Sequence, residues 1–147
     1  MHDDIKIRRI DYNSADYNEE LQLRNRVLRI PLGLSLFDEP LGNEAHDHHV
    51  GLFSGGKLVG VLILTPLDKG EIQMRQVAVD EIYQGKGLGA LLVEHAEALS
   101  KDLGNRKIVL HARTAVTGFY EKLGYQSVGE VFTEVSIPHI AMEKILI

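Results

Sequence analysis

The chain has 147 residues, 44% of them hydrophobic and 25% charged, with a formal net charge of −5. This balance fits one soluble domain over residues 1–147 and excludes a disordered or fibrous chain. With no cysteine, disulfides, a thiolate nucleophile and cysteine-ligated metals are excluded.

Possible partners and location follow from the same composition. No run of basic residues is present, which disfavours nucleic acid. Neither a membrane-length apolar stretch nor a signal pattern is visible, so a cytoplasmic location without a membrane partner is expected. A monomer and a homodimer both stay open.

The first elements are a strand, a helix and an irregular segment. Ile5–Ile10 alternates apolar and polar residues, which is typical of a half-exposed strand. Asn13 or Ser14 can cap the helix that follows, and Pro31 stops it. From Pro31 to Asp47 no periodicity is found, so we expect an irregular or partly helical flap.

Three strands of an antiparallel meander are predicted next. The apolar runs His49–Ser54 and Leu58–Pro66 flank Gly55-Gly56, a pair that favours a tight hairpin turn. A second turn leads into the strand Glu71–Val79. The histidines in His46-Asp47-His48-His49 suit zinc or nickel, but only His46 and His48 share a face, so no metal site is expected.

The second half of the chain alternates helices and strands. We predict a helix from Leu88 to Leu103, a strand at Lys107–His111, a short helix from Thr114 to Leu123, and strands at Tyr125–Val135 and Pro138–Ile147. A unit of strand, helix, strand and helix thus follows a meander. The fold class is α/β with a mixed sheet.

A glycine-rich loop carries the clearest chemical signal. Gln84-Gly85-Lys86-Gly87-Leu88-Gly89 lies between a strand and a helix, where glycines admit a ligand and free helix N–H groups favour phosphate. The lysine and hydroxyl of a P-loop are missing after Gly89. Gly85-x-Gly87-x-x-Ala90 also fits a dinucleotide fingerprint, but it follows a late strand, and His111 replaces the expected acidic residue.

Two separated motifs give a family resemblance. Val77-Ala78-Val79 followed by Gln84-x-x-Gly87-x-Gly89, and later Phe119-Tyr120-Glu-Lys-Leu-Gly124-Tyr125, resemble the GNAT superfamily of acyl-CoA-dependent N-acetyltransferases. The ending Glu134-x-x-Ile137-Pro-His139 is similar to a bacterial branch of it. The chain departs from the family pattern at Arg113 and Val116, where asparagine and alanine are common.

The resemblance implies a mainly antiparallel sheet that splays between its fourth and fifth strands, with helices on both faces and CoA in the gap. It implies acetyl-CoA as the acyl donor, with no metal. The residues implied to contact the donor are Val77, Ala78, Val79, Gln84, Gly85, Lys86, Gly87, Leu88, Gly89, Phe119 and Tyr120.

The chemistry of acetyl transfer points to further residues. An amine that attacks a thioester needs no enzyme nucleophile, only positioning, an acid and a base. A phenol stays protonated at neutral pH, so Tyr120 is expected to protonate the leaving thiolate. Glu71 shares a face with Val77 and Val79 on a regular strand and is a candidate base, although a bulge would reverse this; an ordered water chain is the alternative.

The acceptor side is expected to involve the carboxyl-terminal hairpin. Pro138 should end or bulge one strand's pairing and so aim His139 off the regular ladder. In the splayed sheet that the resemblance implies, this end of the hairpin lies near the acceptor side of the cleft, where His139 is expected to orient the amine or to take its proton directly or through water. Glu134 is expected to attract a cationic amine, and His111 to contact substrate or pantetheine. The segment 31–43 and the last two strands are expected to line the pocket.

The leading hypothesis is therefore an N-acetyltransferase that acts on a primary amine of a small molecule or peptide by direct attack in a ternary complex. A second hypothesis is a non-catalytic module that senses acyl-CoA. A dinucleotide-dependent enzyme is the third.

Overall fold

The computed structural model describes residues 4–147 as a seven-stranded sheet in the order β1-β2-β3-β4-β5-β7-β6, with three α-helices. The elements are β1 (Ile5–Ile10), α1 (Ala15–Leu28), β2 (His48–Ser54), β3 (Lys57–Pro66), β4 (Glu71–Val79), α2 (Leu88–Asp102), β5 (Lys107–Arg113), α3 (Thr117–Lys122), β6 (Gln126–Glu134) and β7 (Ile137–Ile145). Only β4 and β5 pair in parallel, so the predicted mixed, mainly antiparallel α/β sheet is confirmed.

Local sequence signals explain where several elements begin. Ser14 caps α1, since its side chain accepts a hydrogen bond from the backbone N–H of Tyr17 at 3.1 Å. Gly55 and Gly56 both have positive φ, 56° and 84°, as a tight hairpin turn requires. The predicted flap contains short 3-10 turns between α1 and β2. No helix in residues 4–147 is both long and apolar enough to cross a bilayer.

Helices cover both faces of the sheet. On one face, which we call the α1 face, Tyr17, Leu21 and Leu23 of α1 pack with apolar residues of β2, β3 and β4. On the other, the α2 face, residues of α2 and α3 pack with the central strands. Those α2-face residues include Leu88, Leu92, Val93, Ala96 and Tyr120.

The sheet opens between β4 and β5. These strands pair only from Glu71 with Lys107 to Met74 with Leu110. Beyond that point β4 continues to Val79 and β5 to Arg113 without facing each other. The splay expected from the family resemblance is therefore present, and it leaves a gap through the sheet.

A bulge in β4 changes which side chains face the gap. Gln76 has a positive φ of 57°, and the pairing with β3 shifts register there. Met74 and Val77 consequently both face the α2 side, whereas Ala78 packs on the α1 side. The expectation that Glu71 shares a face with Val77 and Val79 is wrong, because the extra residue reverses the alternation.

The carboxyl-terminal hairpin differs in detail from the expectation. Its turn is formed by Val135 and Ser136, both at positive φ. Pro138 stays in register opposite Thr133 of β6, and the bulge lies instead between Val128 and Phe132. The pairing with β6 is therefore not interrupted at Pro138, whereas the pairing of β7 with β5 stops at His139, next to the proline. The expectation that His139 leaves the regular ladder is wrong, because His139 is in register with both Arg113 and Phe132.

Candidate active site

The gap between β4 and β5 forms a cavity of about 250 Å³. Its lining comes from both faces of the sheet. The α2 face contributes Met74, Val77, Leu110, Ala112, Val116 and Tyr120, and the α1 face and hairpin contribute Leu28, Arg29, Arg75, Gln76, His111, Arg113, Glu134, Val135 and His139. The first set is apolar apart from one hydroxyl, whereas the second is mostly polar, so the two sides suit different ligands.

Tyr120 is the polar group of the apolar side. It is 9% exposed, and its ring contacts Phe119 and Tyr125 edge to face at centroid distances of 4.9 and 5.8 Å. Its hydroxyl makes no side-chain hydrogen bond within residues 4–147. Burial raises the pKa of Tyr120 to about 12, so the phenol holds its proton at neutral pH.

His139 is the most buried polar group on the opposite side. It is 5% exposed, and its Nδ1 lies 2.8 Å from the carbonyl oxygen of Ile137. Since a carbonyl only accepts, Nδ1 is the nitrogen that donates, so the neutral tautomer that fits this contact has its lone pair on Nε2. Nε2 lies 3.9 Å from Oε2 of Glu134, a carboxylate that can stabilise the ring once it gains a second proton.

Glu134 also bonds His111. Oε1 of Glu134 lies 2.9 Å from Nδ1 of His111, and Phe132 packs against both histidine rings, at centroid distances of 5.0 Å from His111 and 6.1 Å from His139. The structure therefore brings together His111, Glu134 and His139, the three residues that the sequence assigns to the acceptor side.

The 84–89 loop has the geometry of an anion cradle. Gly85 and Gly87 have φ of 77° and 78°, and a Cβ at either would meet open space. Gly87 caps α2, which has no acidic residue in its first turn, so the free N–H groups of the helix face outward. A phosphate group fits this end of the helix.

The edge of β4 next to the gap has backbone groups available for a ligand. Gln76 and Val77 have no register partner on β3 or β5. The carbonyl of Val79, however, already accepts a hydrogen bond from the Gln84 side chain at 2.8 Å. Of the two valines expected to contact the donor, Val77 therefore has the more available backbone.

A buried charge cluster lies beneath the bulge and consists of Glu20, Arg24, Glu44 and His49. Arg24 donates to Oε2 of Glu20 at 2.9 Å and to both carboxylate oxygens of Glu44 at 2.8 and 2.6 Å. Its Nε also lies 3.4 Å from Oε1 of Gln76. The cluster thus holds the side chain of the strained residue that creates the bulge.

His49 is charged in this cluster. Nδ1 lies 2.8 Å from a carboxylate oxygen of Glu20, and Nε2 lies 2.9 Å from the carbonyl oxygen of Glu44. Both partners accept, so both ring nitrogens donate. Burial alone lowers the pKa of His49, but the hydrogen bond and charge of Glu20, together with Glu44, outweigh it and raise this pKa above its ordinary value.

Two carboxylates and one histidine of this cluster also have the spacing of metal ligands. One ligand atom from each of Glu20, Glu44 and His49 lies within 4.8 Å of the others. Arg24 occupies oxygens of both carboxylates, and Tyr17 donates to Glu44 at 2.7 Å. We interpret the group as an ion-pair network with two positive and two negative charges.

The charge on His49 makes folding stability depend on pH. Since the folded-state pKa is raised, this stabilisation is complete below the unfolded pKa of about 6.5 and is lost as pH rises through the folded value. We expect the free energy of unfolding in urea to decline above about pH 6.5. The His49→Gln variant should lack this component, and a wild-type slope in that variant would contradict the assignment.

The structure places other predicted residues away from the cavity. Glu71 lies at the closed end of the sheet, 3.9 Å from Lys107, and does not line the cavity. Phe119 lies outside it beside Gly89. The expectation that residues 31–43 line the pocket is wrong, because Leu28 and Arg29 at the end of α1 take that position.

Several lining residues were missed by sequence reasoning. Arg29 and Arg75 belong to neither of the two family motifs. Gln76 has a positive φ, but glutamine is not a residue type that predicts one. Arg113 was noticed only as a departure from a family pattern. The predicted strand ends at His111, whereas β5 continues to Arg113. Strand alternation puts Arg113 on the same face as His111, so the longer strand would have predicted the face of Arg113.

Comparisons with known proteins agree with this geometry. A model described as the acetyltransferase (GNAT) family matches residues 11–125. The uncharacterized protein YyaT of Bacillus subtilis is 36% identical over 72 residues, which are 49% of this chain and 49% of YyaT. The match thus spans about half the length of that relative.

Two further comparisons extend over nearly the whole chain. The uncharacterized N-acetyltransferase YitI of Bacillus subtilis is 26% identical over 144 residues, covering 93% of this chain and 97% of YitI. A GNAT family acetyltransferase from Elizabethkingia anophelis, solved with acetyl-CoA bound, has a TM-score of 0.72 and 19% identity, covering 98% of this chain and 99% of that one. The similarity to the Elizabethkingia anophelis structure shows a shared fold.

Proposed function

The chain belongs to the acetyltransferase (GNAT) family, and on that basis we propose that residues 1–147 act as one domain that transfers an acetyl group from acetyl-CoA to a primary amine. The acceptor is a small molecule or a peptide, and its amine attacks directly while both substrates are bound. The cavity supports this, because its lining comes from both faces of the sheet and is apolar on one side and mostly polar on the other.

The residues present fit acetyl-CoA on the α2 face. When bound, it supplies the acetyl group as a thioester. The N–H groups at the start of α2, with Gly85 and Gly87, suit its pyrophosphate. The apolar lining from Val77, Leu110 and Ala112 suits the pantetheine arm, and the unpaired backbone of Val77 offers it hydrogen bonds.

His139 is the base in this proposal. An amine is nucleophilic only as the free base, so a proton must leave it before or during attack. In the neutral tautomer of His139 the lone pair that takes this proton is on Nε2, because Nδ1 donates to the Ile137 carbonyl. Glu134, 3.9 Å from Nε2, stabilises the imidazolium that results.

Tyr120 is the acid. Tyr120 lines the cavity from the apolar side, and burial keeps its phenol protonated by raising its pKa to about 12. A thiolate leaving group accepts this proton. The acid and the base thus come from opposite sides of the sheet, and the observation that carries the proposal is that the β4–β5 splay exposes both to one cavity.

A panel of amines tests the proposed activity. Amino acids, peptides, polyamines and aminoglycosides would be incubated with acetyl-CoA, and free CoA thiol would be measured. We expect at least one class to cause amine-dependent release. Tight acetyl-CoA binding without release in any class would instead favour a sensor module.

Donor binding at the loop predicts a defect for Gly87→Val. A β-branched side chain at φ of 78° strains the backbone and covers the start of α2. We expect calorimetry to show acetyl-CoA affinity at least about 10-fold weaker, equivalent to about 1.4 kcal/mol.

Gly104→Val is the matched control for that variant. Gly104 follows the other end of α2, with φ of 91° and open space around its Cβ position. A valine there therefore imposes similar backbone strain without touching the 84–89 loop. Unchanged affinity in folded Gly87→Val, or an equal loss in both variants, would remove the loop from the donor site.

A further inference from the structure

The charged groups on the polar side of the cavity are unevenly paired. Six ionisable side chains line it: Arg29, Arg75, His111, Arg113, Glu134 and His139. Arg29 is neutralised by Glu39, with contacts of 2.6 and 3.3 Å. Glu134 is bonded to His111 at 2.9 Å. Within residues 4–147 the lining carboxylate is therefore already engaged, and Arg75 has Asp47 at 3.8 Å, which leaves Arg113 as the lining guanidinium without an acidic partner.

Arg113 is the less satisfied of these two. It ends β5, is half-buried, and forms no side-chain hydrogen bond or ion pair within residues 4–147. Arg75 has partial partners, Thr65 at 3.3 Å and Asp47 at 3.8 Å. A half-buried guanidinium without a carboxylate partner, in a cavity wall, is suited to an anionic group of a ligand.

The position of Arg113 relates this anion site to the proposed base. Arg113 pairs directly with His139 across the β5–β7 ladder, so their side chains lie on one face with Cβ atoms about 5 Å apart. An amine beside His139 and Glu134 therefore brings any group two or three bonds away within reach of Arg113. The site has a cation-binding end and an anion-binding end next to each other.

We infer that the acceptor carries an anionic group, a carboxylate or a phosphate, close to the amine that is acetylated. Arg113 binds this group, with Arg75 as the second cation of the wall, while Glu134 and His139 receive the amine. The inference rests on the proposed acetyl transfer and narrows its substrates to zwitterionic amines. Polyamines and aminoglycosides, which bring only positive charge, are poor acceptors in this account.

Matched pairs of small amines test the inference. Glycine, β-alanine and 4-aminobutyrate would each be compared with the corresponding carboxamide, and O-phosphoethanolamine with ethanolamine. One readout is kcat/KM from release of CoA thiol. The other is calorimetric affinity for the protein saturated with CoA, which needs no turnover.

We expect the anionic member of at least one pair to exceed its neutral counterpart by about 10- to 100-fold in both readouts. The favoured pair distinguishes carboxylate from phosphate. In Arg113→Gln this ratio should fall close to one. Arg106→Gln is the matched control, because Arg106 is an exposed arginine just before the opposite end of β5, and it should keep the wild-type ratio.

The outcomes separate the inference from the proposed function. Ratios of one or below in every pair, or a ratio unchanged by Arg113→Gln in a folded protein, would overturn the anion site even if acetyl transfer is observed. If no amine releases CoA thiol, the proposed transfer fails. The calorimetric affinities of the anionic and neutral amines for the CoA-saturated protein then show whether the anion site exists.

Discussion

Replacing Tyr120 with phenylalanine is expected to lower kcat by about 10²–10⁴-fold, the usual cost of losing a general acid. The ring remains, so its contacts with Phe119 and Tyr125 are kept. Affinity for acetyl-CoA should change little, since the hydroxyl acts on the leaving group rather than on binding. Single-turnover kinetics would measure the chemical step without interference from product release.

Tyr125→Phe is the matched control for this variant. It removes another buried phenol, whose hydroxyl donates to Glu97 at 3.0 Å, outside the cavity. We expect Tyr125→Phe to lower the free energy of unfolding and to keep a near wild-type rate of the chemical step. A wild-type single-turnover rate in Tyr120→Phe would rule out Tyr120 as the acid.

A comparable effect is expected from His139→Gln. Glutamine is polar and of similar length, but it cannot take a proton from the amine, so kcat/KM for the amine should fall by about 10²–10⁴-fold. Calorimetric affinity for acetyl-CoA should stay near wild type, because His139 lies on the acceptor side. The combination distinguishes a base from a residue that only supports the fold.

His95→Gln provides the comparison for that measurement. His95 is half-buried on α2 and lies outside the cavity, so the same substitution there should leave the amine kinetics unchanged. If His139→Gln keeps wild-type amine kinetics, or loses acetyl-CoA binding together with activity, the assignment of the base to His139 is wrong.

The parts of the site that depend on local sequence were the predictable ones. Gly85 and Gly87 adopt positive φ beside a helix start, and this follows from residues adjacent in the chain. The turn at Gly55-Gly56 is another such case. The splay of the sheet was predictable from the family resemblance, whereas no short segment of the sequence predicts it.

The unpredicted parts depend on contacts between distant segments. Gln76 adopts a positive φ while Arg24, 52 positions away, holds its side chain, and no local pattern indicates that bond. The resulting bulge is what moves Glu71 off the face of Val77. In the same way, the sequence places His49 beside His46 and His48, whereas its partner in the fold is Glu20 of α1.

The most direct test of direct transfer follows the acetyl group itself. Acetyl-CoA labelled in the acetyl group would be mixed with a molar excess of the protein, first alone and then with the amine that the panel selects. After denaturation we predict no label covalently attached to the protein in either case, and, with amine present, label on the amine matched by an equal amount of free CoA thiol. Label that stays covalently attached to the denatured protein, or thiol release that does not depend on the amine, would contradict direct attack in a ternary complex.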